Sequence, residues 1–105
     1  MNINEYGVLF RYSTGFDLSG FTGLQIVFTK PDGTTLTRAN PLVTAPAVDV
    51  TTTLGLFPAN TYAQYEFAVG DADQSGTWCA YVIYDDGVQH LISDVAHFTV
   101  NANSC

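Results

Sequence analysis

Four groups of residues in this sequence could do chemistry. The first is Asp71-x-Asp73-x-Ser75-Gly76, which copies the opening of a helix-loop-helix calcium site, where oxygen ligands alternate and Gly allows a sharp turn. The copy fails at the twelfth loop position, where a bidentate Glu belongs and Val82 stands. Residues 77–84 also read as a strand and not as the exit helix. An Asp-folded turn is therefore expected, with no metal and no cofactor. Asp85 and Asp86, just before Gly87, are read as turn residues in the same way. His90 and His97 are the histidines, and a hydrolytic triad would need one of them beside a nucleophile and an orienting acid. No G-x-S-x-G, H-E-x-x-H or Gly-rich phosphate loop accompanies them. Cys79 has no nearby cation to activate it and reads as a small buried hydrophobe. No catalytic residue is assigned, and an enzyme is not expected.

The elements that carry these residues belong to one domain, since 105 residues leave no room for a second core. Hydrophobic residues make up 47% and charged residues 12%, a composition that folds. Arg11, Lys30 and Arg38 face ten acidic residues, for a formal net charge of -7. That balance excludes the clustered cations of nucleic-acid binding and would repel anionic lipid. With no run near the roughly 20 apolar residues of a membrane helix, a soluble chain is expected. The opening Met1-Asn2-Ile3-Asn4-Glu5 lacks the charge and apolar run of a secretory signal, so a product that stays in the cytoplasm or assembles there is expected. Cys79 and Cys105 are not spaced as a disulfide framework or a zinc site, and two free thiols are expected.

Short runs rich in Val, Ile, Thr, Phe and Tyr recur between Gly, Pro, Asn and Asp, the pattern of a sandwich or barrel of about seven strands. Strands are expected over residues 6–12, 22–29, 34–38, 62–69 and 77–84, with 88–92 continuing through 94–100. Lys30-Pro31-Asp32-Gly33 and Asp85-Asp86-Gly87 are the hairpin turns. Between them Pro41, Pro46 and Pro58 allow a short edge strand near 47–52 and a loop over 54–60. Residues 101–105 read as a polar tail.

Period-two alternation sends Leu24, Ile26 and Phe28 to one face of their strand and Trp78 and Val82, with Ala80, to one face of theirs. Phe98 and Val100 complete the expected core. The other face of the strongest strand then carries Cys79, Tyr81 and Ile83, although an antiparallel sheet normally keeps one face polar. Either loops of the same chain cover that face or a partner does. Leu56 and Phe57, in the apolar loop Leu54-Gly55-Leu56-Phe57-Pro58, pose the same choice between a lid and an interface.

Three segments together carry a resemblance. They are Leu18-Ser19-Gly20 leading to Phe28-Thr29-Lys30-Pro31-Asp32-Gly33-Thr34, then Asp71-Ala72-Asp73-Gln74-Ser75-Gly76-Thr77-Trp78, then Ser93-Asp94-Val95-Ala96-His97-Phe98-Thr99-Val100. They resemble immunoglobulin-like virion domains of tailed bacteriophages, such as the N-terminal domain of phage baseplate upper proteins. The resemblance implies an antiparallel immunoglobulin-like β-sandwich that attaches to other virion proteins, or to copies of itself. It would serve as a docking module in the tail, baseplate or fibre-attachment region, or as a capsid decoration protein. Those domains are usually followed by further chain with a receptor-binding module, and here the sequence stops at Cys105, so an adaptor or cement role is expected. A carbohydrate-binding module, with Tyr81 or Trp78 as a sugar platform, is the rival from another class.

Overall fold

The strongest alternation in the sequence becomes the longest strand, and the rest of the chain is arranged around it. In this computed structural model, which describes residues 1–19, 23–53 and 55–102, Trp78, Ala80, Val82 and Tyr84 are buried along Gly76–Asp85 and alternate with half-buried neighbours. In chain order the strands are β1 (Leu9–Ser13), β2 (Gly23–Thr29), β3 (Thr35–Ala39), β4 (Val43–Thr44), β5 (Val50–Thr52), β6 (Gly55–Phe57), β7 (Tyr62–Glu66), β8 (Gly76–Asp85), β9 (His90–Ile92) and β10 (Ala96–Val100). There is no helix among the described residues.

β2 runs antiparallel to β8 with Leu24 opposite Tyr84, Ile26 opposite Val82 and Phe28 opposite Ala80, so two buried rows coincide. A slip of one residue in β2 would turn its three core side chains outward. β3 flanks β2, while β10 and β9 flank successive halves of β8, which completes a five-stranded sheet. The second sheet has the order β1-β7-β4, and β5 and β6 form a separate hairpin. The chain is thus an all-β antiparallel sandwich. With β1, β7 and β4 as strands B, E and D, and β10, β8, β2 and β3 as G, F, C and C′, the strand order is that of the immunoglobulin sandwich. No described strand occupies the place of strand A, beside β1.

Between the sheets Leu24, Ile26, Phe28, Trp78 and Val82 are fully buried and Val100 nearly so. Phe98 departs from the expected core: it is half-buried, because its strand lies at an edge. The Trp78 indole N–H is satisfied by the Gln74 carbonyl at 3.0 Å, and the Lys30 ammonium lies 5.7 Å from the ring centre. Gly76 sits at φ +126°, and a Cβ there would stand 3.0 Å from Cγ of Pro31, so this turn tolerates no side chain.

Among the described residues ten strands stand where about seven were expected, and the differences have local causes. β1 begins at Leu9 because Gly7, at φ +76°, makes a bulge: its N–H bonds Phe67 C=O at 2.8 Å while Phe67 N–H bonds Val8 C=O at 2.9 Å. The expected return strand is split into β9 and β10. Ile92 faces Ile83 and Ala96 faces Ala80, so three residues oppose two, and the Val82 N–H is taken by Ser93 Oγ at 2.8 Å. The expected loop at 54–60 contains β6, paired with β5, although Leu54 itself lies outside the described residues. Asn101 is not tail. Its N–H bonds Met1 C=O at 2.9 Å and its C=O accepts from Ile3 N–H at 2.8 Å. The expected start at Thr22, Gly20 of the resemblance and residues 103–105, with Cys105, lie outside the described residues, while Cys79 is a free thiol.

One margin of the sandwich is closed by polar contacts. Arg38 of β3 donates from Nε to the Tyr65 hydroxyl of β7 at 3.1 Å and from Nη2 to Asp71 at 3.0 Å, and the Tyr65 hydroxyl donates to the same carboxylate. The Ala68 N–H adds a further bond to Asp71 at 2.9 Å. Asp71 is only 5% exposed. Burial pushes its carboxyl up, but the bonds from Tyr65, Ala68 and Arg38 outweigh it and hold the group below the ordinary carboxylate range. Asp71→Ala strands Arg38 and Tyr65 and should lower the unfolding free energy by about 2–4 kcal/mol in urea titrations. A carboxylate held low when folded stabilises the fold fully above its unfolded pKa of about 4, and that stability is lost as pH falls through the lowered folded value. Stability measured from pH 7 downward should therefore fall below about pH 4, and less steeply in Asp71→Asn than in the wild type.

Candidate interaction surfaces

The alternation that buries one row of β8 presents the other on the outside of the five-stranded sheet. The register sets Cys79, Tyr81 and Ile83 beside Thr29, Val27 and Gln25 of β2, and these beside Thr35, Thr37 and Ala39 of β3. On the far side His97 is the cross-strand partner of Cys79, and Ile92 of Ile83. None of the residues from β3 across to Ile92 carries a formal charge at neutral pH, on a chain of net charge -7. Cys79, Tyr81 and Ile83 are half-buried, Ile92 is 62% exposed, and Val27 is sunk to 8% although it faces outward. Among the described residues, the strands that pair beside these side chains all belong to the same five-stranded sheet. Charge returns at one end, where His90 Nδ1 lies 3.5 Å from Asp85 beside a depression of about 300 Å³.

The other expected surface divides in two. Phe57 is half-buried and meets Tyr62 edge-on, ring centres 5.6 Å apart, while the Tyr62 hydroxyl donates to Val48 C=O at 3.0 Å. Leu56, paired with Thr51 across the hairpin, is 57% exposed. Phe57 therefore acts as a lid over the end of the core, and Leu56 faces outward.

The candidates for chemistry are committed elsewhere. Asp71 is engaged by Arg38 and Tyr65, and Asp73 pairs with Lys30 at 2.8 Å, so the two carboxylates of the calcium-like segment point to different partners. Asp86 accepts from the N–H groups of Val88 and Gln89 and caps the turn, bonds that hold its carboxyl below the ordinary range. His97 is exposed on the outer face. Trp78 is fully buried and is no sugar platform.

A surface that the sequence did not announce lies between β1 and β10, the edge strands of the two sheets. It is a cleft of about 570 Å³ floored by Val8, Phe10, Phe67 and Phe98, with Met1 among its lining residues. The Tyr12 hydroxyl bonds Asp94 C=O across the gap between the sheets. The inward aromatics of both strands were visible in the sequence as alternation, but that both strands are edges follows from the topology.

Compared with protein-family models, with curated proteins and with solved structures, the chain matches none.

The division of the hairpin gives a direct check. Phe57→Ala should cost about 1–3 kcal/mol of stability by removing the ring from Tyr62, whereas Leu56→Ser should stay within about 0.5 kcal/mol, both read from thermal and urea unfolding.

Proposed function

We propose that this chain is a non-catalytic structural module that docks onto other subunits of a phage virion, through the outer face of its five-stranded sheet. The observation that carries the reading is the uncharged surface from β3 to Ile92, with Tyr81 and Ile83 at its centre. A solvated antiparallel sheet normally alternates apolar inside with polar and charged outside, and charge depletion with aromatic content marks interface centres. The virion setting is supported by the resemblance of the three segments described above, and it covers a place in the tail, baseplate or fibre attachment as well as capsid decoration.

Magnitudes say what kind of docking this face can provide. From strand spacing and rise, its flat area is on the order of 400 Å². Stable complexes bury about 800 Å² on each partner, so this face alone binds weakly. In a symmetric particle, repeated weak contacts add through high effective concentration, and a second contact on the same subunit raises the total further.

The test uses particles of the phage that encodes the chain. Mass spectrometry of purified virions should find the chain in fixed proportion to the major structural proteins. Thr37→Lys combined with Ile92→Lys, both at outward positions, should leave the melting temperature nearly unchanged and remove the chain from the particles. Absence of the wild-type chain from purified virions contradicts the virion setting, and undiminished incorporation of the double variant contradicts this face as the docking surface.

A further inference from the structure

We infer that the cleft between β1 and β10 is an acceptor groove for an extended segment of a partner chain, which adds to β1 as a strand. This goes beyond the sheet-face docking above and stands whether or not the assembly is a virion.

The main chain of β1 points the right way. Phe67 N–H bonds Val8 C=O and Thr14 N–H bonds Thr61 C=O, and the register pairs Phe10 with Tyr65 and Tyr12 with Ala63. Residues 8, 10, 12 and 14 therefore turn their main-chain groups toward β7. By the period of an antiparallel ladder, Leu9, Arg11 and Ser13 turn their N–H and C=O groups the opposite way. Among the described residues β1 pairs with no strand but β7, so these groups form an unpaired ladder edge there. The place beside it is the one that the immunoglobulin order gives to strand A. The chain's own N-terminus does not fill it, because Met1 and Ile3 bond Asn101 at the end of β10 instead.

The side chains also fit a strand. A segment laid along β1 would send alternate residues inward, onto Phe10, Phe67 and Phe98, and these positions want apolar groups. The residues between them would lie outward beside Leu9, Arg11 and Ser13. Lys30 and Arg38 are each held by a carboxylate, whereas Arg11 donates from Nε to Gln64 Oε1 at 2.9 Å and makes no ion pair among the described residues. Its cross-strand neighbour on the incoming segment is thus best an acid. The occupant is an extended segment of about six residues, apolar at alternate positions with an acidic residue between them, held by main-chain bonds for affinity and by the apolar floor for register. The opposite margin offers no such place, because Arg38, Tyr65 and Asp71 bridge it.

The experiment titrates the isotope-labelled chain with a capped synthetic peptide of sequence Val-Glu-Val-Thr-Val-Glu and follows the amide resonances. Saturable shifts at Leu9, Arg11 and Ser13, with slowed hydrogen exchange at the same amides, are expected. The same peptide N-methylated at the residues that face β1 cannot form the ladder and should bind about tenfold more weakly or worse. Arg11→Glu, an exposed-side change that leaves the main chain free, should weaken binding of the acidic peptide and strengthen that of its Lys-substituted counterpart. Shifts confined to the outer sheet face, equal binding of the N-methylated peptide, or protection of the β1 edge by a second copy of the chain without peptide would each overturn the proposal.

Discussion

Phe28 stands midway between the two sheets, with the rings of Phe10, Tyr65, Phe67, Trp78 and Phe98 around it at centroid separations from 5.2 to 6.5 Å. Most of these pairs meet edge-on or tilted, the geometry that the ring quadrupoles favour, and each adds about 0.5–1.5 kcal/mol beyond the area it buries. Because side chains alternate, placing Phe28 inward places Ile26 and Leu24 inward too, and fixes Gln25, Val27 and Thr29 outward. The uncharged outer face is in this sense a consequence of the core. Its composition is free to vary, but its position is not.

The two margins of the sandwich are built differently, and the difference sets where the molecule can take a partner. At the β3 margin the gap between the sheets is spanned by a buried carboxylate with its guanidinium and phenol partners, which bind the sheets to each other and leave no apolar opening. At the β1 and β10 margin the hydrogen bonds named above lie at the ends, Tyr12 to Asp94 C=O and Met1 and Ile3 to Asn101, and between them the Phe10 and Phe98 rings pack with centres 5.2 Å apart. Between those ends the aromatic floor is left open, and Phe98 is half-exposed for that reason. The Gly7 bulge and Arg11 moderate this edge without covering it.

Much of the fold was legible in the residues. The alternation in residues 23–29 and 77–84, together with the Pro-Asp-Gly turn between strands, is local information, and the central strands follow from it. Of the short strands, β5 falls within the edge strand expected near 47–52, whereas β4 and β6 were not legible, because their two or three residues have no period to detect and β6 is held by tertiary contacts such as Phe57 on Tyr62. The split between β9 and β10 depends on the Ser93 hydroxyl reaching the Val82 N–H, which no propensity encodes. Asp71 read as a turn former because Asp is one. Its tie to Arg38 joins residues 33 apart in sequence, and only folding makes it visible. The outer face of β8 was foreseen as Cys79, Tyr81 and Ile83, but its extension across β2 and β3 needed the register. The cleft was not foreseen at all, since an edge is a property of topology.

Residue-by-residue amide hydrogen exchange on the free chain tests the arrangement most directly, because it reads the sheet order and the open edge together. The account predicts the slowest exchange at the seam between β2 and β8, at Val27 and Tyr81, and nearly unprotected amides at Leu9, Arg11 and Ser13. Fast exchange in β2 and β8, or strong protection along the outer edge of β1 in a monomer, would contradict it.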